Sequence, residues 1–228
     1  MIQRPLIIAH RGFSSRYLEN TLTSVDAALR LGVDFVEIDV QETRDGELIV
    51  FHDYRLNRIC GVRGRVRHTT LAEIQRLNPH VPTLREVFTA CRGRARVLIE
   101  IKRADPRKVA ELIAKMRMER EVIVFALSVA RMKKFAAVAP GVSCFGLIAR
   151  NPLWAMARLK AVVNIEGLGI SRRLVTSRRV VRRIHRRGWR VFVWTVNREA
   201  EMKRLASWGV DGIITNYPDR AKSCLARP

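Results

Sequence analysis

The chain contains no apolar run long enough to cross a bilayer as a helix, which takes about 20 residues, so a helical membrane span is excluded. The stretch Met1-Ile2-Gln3-Arg4-Pro5 leads straight into a short apolar strand, without the longer apolar core and small-residue cleavage site of a secretory signal. A cytoplasmic location is the expectation. Cysteine is scarce: Cys60, Cys91, Cys144 and Cys224 lie far apart with no CxxC pair. That pattern argues against a disulfide framework or a zinc site and fits reduced thiols. Acidic residues are outnumbered, 21 against 43 Lys and Arg, for a net charge of +22. The imbalance favours anions, whether phosphate esters, nucleic acid or anionic membrane surfaces, and does not choose among them. Most of it is expected on a solvated surface. Aromatic residues make up only 7% and are not interleaved with the basic ones, so a single-strand nucleic-acid binder would lack its stacking platforms. No GxGxxG follows the first apolar strand, which weakens a dinucleotide site.

What is present is a globular chain of 228 residues, 48% apolar, suited to one large α/β domain. Its organising stretch is Phe35-Val36-Glu37-Ile38-Asp39-Val40, which reads as a strand from its β-branched and aromatic content. Side chains two apart on a strand share a face, so Glu37 and Asp39 point the same way. Neighbouring carboxylates repel and need positive charge between them. Val97-Leu98-Ile99-Glu100-Ile101-Lys102 repeats the pattern with Glu100 and Lys102 on one face.

Taken in order, the chain alternates apolar strands with capped helices. Strands are expected at 5–9, 35–40, 97–102, 122–127, 142–148, 161–170, 190–195 and 212–215, with a further one at 48–51 after the turn Asp45-Gly46. Asn20 or Thr21 caps a helix that runs through Leu31 and stops at Gly32. Thr70-Leu71-Ala72-Glu73 and Thr83-Leu84-Arg85-Glu86 have capping-box spacing. Asp105-Pro106, Ser128, Asn151-Pro152 and Asn197 each open a helix, a basic helix spans 176–187, and a short one follows Asn216. Its Val180, Val181 and Ile184 fall at helical spacing and are expected to face inward, the arginines outward. Eight strands with helices between them predict a (β/α)8 TIM barrel of one domain, 1–228, with a small basic insertion on its mouth at about 41–81. An open doubly wound sheet is the alternative.

In such a barrel the strand C-termini share one mouth. His10 and Arg11, Glu37 and Asp39, His52, Glu100 and Lys102, Trp194 and Asn216 all fall there. A lone histidine is more often structural, but two of only five histidines here end apolar strands; His68, His80 and His185 are read as structural. Glu37, Asp39 and Glu100 offer hard oxygen ligands suited to Mg²⁺ or Ca²⁺. Arg11 and Lys102 could neutralise them without metal, yet three acids against two bases leave room for a cation. Arg11 suits bidentate contact with a phosphate and Lys102 a point-charge contact. With two histidines to move protons, these parts describe phosphoester cleavage.

At this point the chain resembles the glycerophosphodiester phosphodiesterase family. The matching residues are Ala9-His10-Arg11-Gly12, Glu19-Asn20-Thr21, Glu37-Ile38-Asp39-Val40, Thr43-Arg44-Asp45-Gly46, His52-Asp53, Glu100-Ile101-Lys102, Trp194-Thr195-Val196-Asn197 and Gly209-Val210-Asp211-Gly212, in family order over nearly the whole chain. The resemblance implies a TIM barrel with a small insertion and hydrolysis of a glycerophosphodiester to glycerol 3-phosphate and an alcohol. It implies His10 and His52 as the acid–base pair and Glu37, Asp39 and Glu100 as ligands of one divalent cation. It implies Arg11 and Lys102 as phosphate contacts; Trp194, an aromatic at a strand end, would wall the glycerol. Two departures stand out. Leu18 occupies the place where the family commonly has proline, and Arg58-Ile59-Cys60-Gly61 replaces Arg-Thr-Thr-Gly within a strongly basic insertion. The first touches loop stiffness and not chemistry; the second leaves the substrate's alcohol group open, since the insertion overhangs the mouth. Within the enzyme class the runner-up is a phospholipase D-like activity on lysophospholipids at anionic membranes, and outside it a nucleic-acid-binding protein on a barrel scaffold. The expected partner is a small-molecule substrate, with no specific nucleic acid and a weak attraction to anionic membrane surfaces.

Overall fold

The computed structural model describes residues 4–150 and 165–226. In chain order these form β1 (Leu6–His10), α1 (Leu22–Arg30), β2 (Phe35–Glu42), β3 (Leu48–Val50), α2 (Asn57–Cys60), α3 (Leu71–Leu77), α4 (Leu84–Cys91), β4 (Arg96–Arg103), α5 (Pro106–Lys115), β5 (Val122–Ala126), α6 (Val129–Val138) and β6 (Ser143–Ile148). There follow β7 (Ile165–Ser171), α7 (Arg178–His185), β8 (Arg190–Trp194), α8 (Glu199–Ser207), β9 (Gly212–Thr215) and α9 (Pro218–Leu225). The sheet order is β1-β9-β8-β7-β6-β5-β4-β2-β3, and a β1–β2 pairing closes it. Apart from β3, every strand runs parallel to its neighbours, which is the (β/α)8 barrel. β3 pairs antiparallel with β2 and stays outside the ring. The helix expected at Asn151-Pro152 and the start of the strand expected at 161 lie outside the described residues.

Local chemistry explains most of the element boundaries. Thr21, Thr70 and Thr83 each accept a hydrogen bond from the backbone N–H three residues on and close a capping box, with Ser24, Glu73 and Glu86 respectively. Asp105 caps α5 ahead of a proline at its first position, and Ser128 caps α6. α7 buries Val181 and Ile184, keeps Val180 half-buried against the core, and exposes its arginines. One helix start differs from expectation. α8 begins after Arg198, because Asn197 turns its side chain to β9, where Oδ1 accepts from the Asn216 N–H (3.0 Å) and the Thr215 hydroxyl (3.3 Å). α9 begins at Pro218, following Asn216 as expected, and the Asn216 side chain is itself drawn toward the barrel.

Alternation along the strands separates two cores. Residues such as Ile7, Val36, Ile38, Val97 and Ile99 pack outward under the helices. Ile8, Phe35, Leu98, Ile123, Phe125, Phe145, Phe192 and Ile214 fill the barrel interior. The Phe145 and Phe192 ring centroids lie 4.7 Å apart, with Phe125 5.8 Å from Phe145 and Phe35 6.2 Å from Phe192. Tilted ring pairs of this kind add about 0.5–1.5 kcal/mol each beyond burial. Glycines on β7 and β9 make room for them: a Cβ on Gly167 would lie 2.4 Å from the Phe145 ring, one on Gly169 2.8 Å from Phe125, and one on Gly212 2.6 Å from Phe192.

Two residues further along, the same inward line turns polar. His10 follows Ile8, Glu37 follows Phe35, Glu100 follows Leu98, Trp194 follows Phe192 and Asn216 follows Ile214. The aromatic plug thus forms the floor on which the mouth is built. A third apolar cluster, Ile49, Phe51, Leu56, Val66, Ile74 and Val81, holds the excursion between β2 and β4 together.

Gly167→Ala is expected to destabilise the barrel by about 1–3 kcal/mol, the usual cost of overpacking. The new methyl would meet the Phe145 ring and, at 2.7 Å, the Arg190 carbonyl oxygen. Phe145→Leu in the same chain should restore only part of the loss, because the carbonyl cannot move aside. Chemical denaturation of the two variants checks this; a native midpoint for Gly167→Ala would refute the packing argument.

Candidate active site

The strand register brings the carboxylates together. Asp39 pairs with Glu100 across β2 and β4, and His10 with Glu37 across β1 and β2. One oxygen from each of Glu37, Asp39 and Glu100 lies within 4.8 Å of the others. Glu37 and Asp39 are buried and Glu100 nearly so. Burial, followed by the charge of Asp39, raises the Glu37 carboxyl well above the ordinary range, and raises Glu100 in the same way. Asp39 goes the other way: burial pushes it up, but Arg11 and Lys102 outweigh that and hold it below the usual value. Burial would lower Lys102, and Asp39 with Glu100 reverses this.

Ion pairs lead outward from this cluster. Lys102 Nζ lies 2.9 Å from Glu100 and 3.5 Å from Asp39 Oδ1. Arg11 Nε lies 3.0 Å from Asp39 Oδ2, and Arg11 also donates to Glu19 at 3.0 Å. Glu19 accepts from Arg58 at 2.7 Å, and Arg58 Nε donates to Asp53 at 2.7 Å. Asp53 Oδ1 in turn accepts from His52 Nδ1, also at 2.7 Å. The Arg58 hydrogen bond, with His52 beside it, pulls Asp53 down to about 2. With all five ionised and His52 neutral, Glu19, Glu37, Asp39, Asp53 and Glu100 are paired among the described residues with the cations Arg11, Arg58 and Lys102, which leaves two negative charges uncompensated, or one when His52 is protonated. Asp39 Oδ1 is buried and, among the described residues, accepts no hydrogen bond, with Lys102 Nζ 3.5 Å away. A hard divalent cation fits both features: it matches the deficit, and it takes an oxygen that lacks a donor.

The two histidines are held alike. His10 Nδ1–H donates to Asn216 Oδ1 at 2.6 Å and His52 Nδ1–H to Asp53, so each keeps Nε2 for the site. His10 Nε2 lies 4.0 Å from Glu37 Oε2. Their surroundings differ. Burial, with Arg11 next to it, lowers His10 to about 4, so it is neutral at physiological pH. His52 has a carboxylate partner, and its side chain is 30% exposed.

A cavity of about 140 Å³ is lined by His10, Arg11, Glu37, His52, Glu100, Lys102 and Trp194, with Phe125, Leu127 and Leu147 as its apolar wall. Every residue singled out in the sequence as catalytic or phosphate-binding, together with two of the three carboxylates, lines this one space, and Asp39 lies directly behind it. Trp194 stands on the wall with its indole N–H buried and, among the described residues, without an acceptor. A groove of about 500 Å³, lined by Tyr54, Arg55, Asn57 and Arg58, joins the cavity at His52 and Lys102.

Four supporting residues carry roles that the sequence did not reveal. Asn20, with φ at 59°, points inward instead of capping α1, and its Nδ2 donates to Asp39 Oδ2 at 3.0 Å. Glu19 and Arg58 relay charge from Arg11 to Asp53, and Asn216 fixes His10. Glu19-Asn20-Thr21 reads as a helix start, and only Thr21 serves as one.

Comparison with known proteins agrees with this geometry. Residues 10–220 match the model of the glycerophosphoryl diester phosphodiesterase family. The chain is 32% identical over 249 residues to a glycerophosphodiester phosphodiesterase of Bacillus subtilis, covering 95% of this chain and 85% of that protein. It is 31% identical over 237 residues to one from Caldanaerobacter subterraneus, covering 95% and 96%. Among solved structures, a glycerophosphodiester phosphodiesterase from Agrobacterium tumefaciens superposes with a TM-score of 0.83 at 27% identity, covering 96% of this chain and 99% of that one. A phosphodiesterase from Oleispira antarctica, solved in complex with the product sn-glycerol-3-phosphate, shares the fold with a TM-score of 0.85 at 24% identity, covering 97% and 96%.

The raised pKa of Glu37 has a stability consequence. A carboxyl whose pKa rises on folding contributes stability below its unfolded value and loses it as pH rises toward the folded one. In chelator at neutral pH, Glu37→Gln should therefore melt higher than the native protein, with about 2–4 °C for each kcal/mol relieved. Thermal melting checks this. A lower melting temperature for the variant would show that Glu37 is satisfied by Arg11 and its neighbours alone.

Proposed function

The chain belongs to the glycerophosphoryl diester phosphodiesterase family, and from that premise we propose that its mouth cleaves glycerophosphodiesters to glycerol 3-phosphate and an alcohol with the help of one divalent cation. It is a phosphoric diester hydrolase acting on a small-molecule substrate. The observation that carries the finer reading is the cluster of three carboxylates beside two histidines that both present Nε2 to one cavity. Glu37, Asp39 and Glu100 are the proposed ligands, and Mg²⁺ or Ca²⁺ suits their oxygens. A cation bound there supplies neutralising charge to the carboxylates and polarises the phosphate.

This chain's own residues do the rest. Arg11 and Lys102, already held by Asp39 and Glu100, present positive charge to the phosphate oxygens. His10, neutral and tied through Nδ1, is suited to take a proton from the attacking oxygen at Nε2. His52, whose imidazolium form is charge-paired with Asp53, is suited to give one to the departing alkoxide. The groove beyond His52 leaves space for the departing alcohol, and Trp194 with Phe125 and Leu147 walls the glycerol side. The chain is read as one barrel domain, 1–228, with 41–81 as an insertion on the mouth. A cytoplasmic location is proposed from the four cysteines, all free, and among the described residues no helix is long and apolar enough to cross a membrane. The family match does not favour the nucleic-acid reading or the lysophospholipid one.

The test is hydrolysis of glycerophosphocholine and its ethanolamine, serine and glycerol counterparts, with release of glycerol 3-phosphate. Chelator should abolish turnover, and Mg²⁺ or Ca²⁺ should restore it. His10→Ala and His52→Ala should each lower kcat by about 10²-fold or more, the usual share of proton transfer, with KM much less affected. The two losses should combine less than additively, since the groups act as one unit. Full activity in excess chelator, or a near-native kcat for His52→Ala, would contradict the assignment.

A further inference from the structure

The two departures singled out in the sequence, Leu18 and the basic insertion, converge on one arc of the barrel mouth. From Tyr54 through Ala72 the chain carries Arg55, Arg58, Arg63, Arg65 and Arg67 and no acidic residue. Arg58 is held by Asp53 and Glu19. Arg63, Arg65 and Arg67 are exposed and have no acidic partner among the described residues, whereas Val62 just before them and Val66 among them pack into the excursion's core. Some other exposed basic side chains are paired, such as Arg30 with Asp26 and Arg44 with Glu73. Arg65 is bridged through its backbone to Arg55, which lines the groove, so this basic strip lies beside the entrance.

The same arc carries most of the large apolar side chains exposed to water. Tyr17 (40%) and Leu18 (44%) lie in the loop after β1, Tyr54 (48%) after β3, and Leu127 (51%) after β5. β1, β2, β4 and β5 are consecutive around the barrel, so these groups and the arginine strip occupy one side of the rim. Apolar and amphipathic side chains interspersed with unpaired arginines match a bilayer interface, where rings and leucines enter the headgroup level and arginines meet lipid phosphates.

We propose that this arc docks the mouth of the enzyme onto an anionic phospholipid bilayer. A second arginine-rich surface, the outer side of α7, differs in kind. Arg178, Arg179, Arg182, Arg183 and Arg186 are exposed there, but Val180, Val181 and Ile184 turn toward the barrel and leave it no apolar anchor. It lies after β7, on the opposite side of the ring. Charge alone makes it a solvated face; charge with apolar anchors makes the rim a docking surface.

The experiment is co-sedimentation of the full chain with vesicles of equal parts phosphatidylglycerol and phosphatidylcholine, and with phosphatidylcholine alone. Binding to the anionic vesicles only is expected. Replacing Arg63, Arg65 and Arg67 together by Gln should weaken it by about tenfold or more. Replacing Arg179, Arg182 and Arg186 by Gln should leave it near native. Tyr17→Gln with Leu18→Gln should remove the part of the binding that survives high salt. Melting temperatures of all variants establish that each is folded. The proposal is overturned by any of three results: no binding to anionic vesicles, including the case where a duplex oligonucleotide binds instead; loss through the α7 variant while the rim-arginine variant binds as native; or native salt resistance in the Tyr17 and Leu18 variant.

Discussion

Three carboxylates buried within reach of one another at the end of an apolar barrel are the constraint to which the rest of the mouth answers. Each would be costly alone, and together they repel. The fold offsets this with two cations of its own, Arg11 and Lys102, and with neutral donors such as Asn20. It stops short of full compensation. Among the described residues Asp39 Oδ1 accepts no hydrogen bond and has Lys102 only at 3.5 Å, and Glu37 and Glu100 hold their protons more tightly than carboxyls in water. A site balanced by its own side chains would have little affinity left for a metal or a phosphate. One left short of positive charge is suited to a cation, and on the reading proposed above that cation, with Arg11 and Lys102, would attract the substrate's anion.

The alternating charges from Asp39 to His52 have a second effect. Arg11, Glu19, Arg58 and Asp53 tie the loop after β1 to the excursion after β2, so His52, carried by that excursion, is positioned through the same network that holds the carboxylates. Below it, the four packed phenylalanines, fitted against the bare faces of Gly167 and Gly169, fill the floor. Polar chemistry is confined to the mouth because the inward line of each strand changes character there.

Much of this was legible in the sequence for a physical reason. Two-residue periodicity fixes which side chains share a face, so Glu37 with Asp39 and Glu100 with Lys102 follow directly from spacing. Threonine with glutamate three residues on is a local signal, and Thr70 and Thr83 cap where they were expected to. Asparagine was the weak point. Asn20, Asn197 and Asn216 stand where caps or helix starts are common, and a short polar side chain at such a place can equally turn inward. Which way it turns depends on groups distant in sequence: Asp39 for Asn20, β9 for Asn197 and His10 for Asn216. The relay through Glu19 and Arg58 was hidden for the same reason, since its partners are 39 residues apart and exist as a pair only after the barrel closes.

The most direct test of the central claim, that the charge deficit at the mouth is a cation site, is a crystal structure of the protein grown with Mn²⁺ and measured at a wavelength where manganese scatters anomalously. One strong peak is expected at about 2.0–2.6 Å from oxygens of Glu37, Asp39 and Glu100, the span of hard-cation bonds to oxygen. A well-ordered mouth without that peak, in which Arg11 and Lys102 alone hold the three carboxylates, would contradict it.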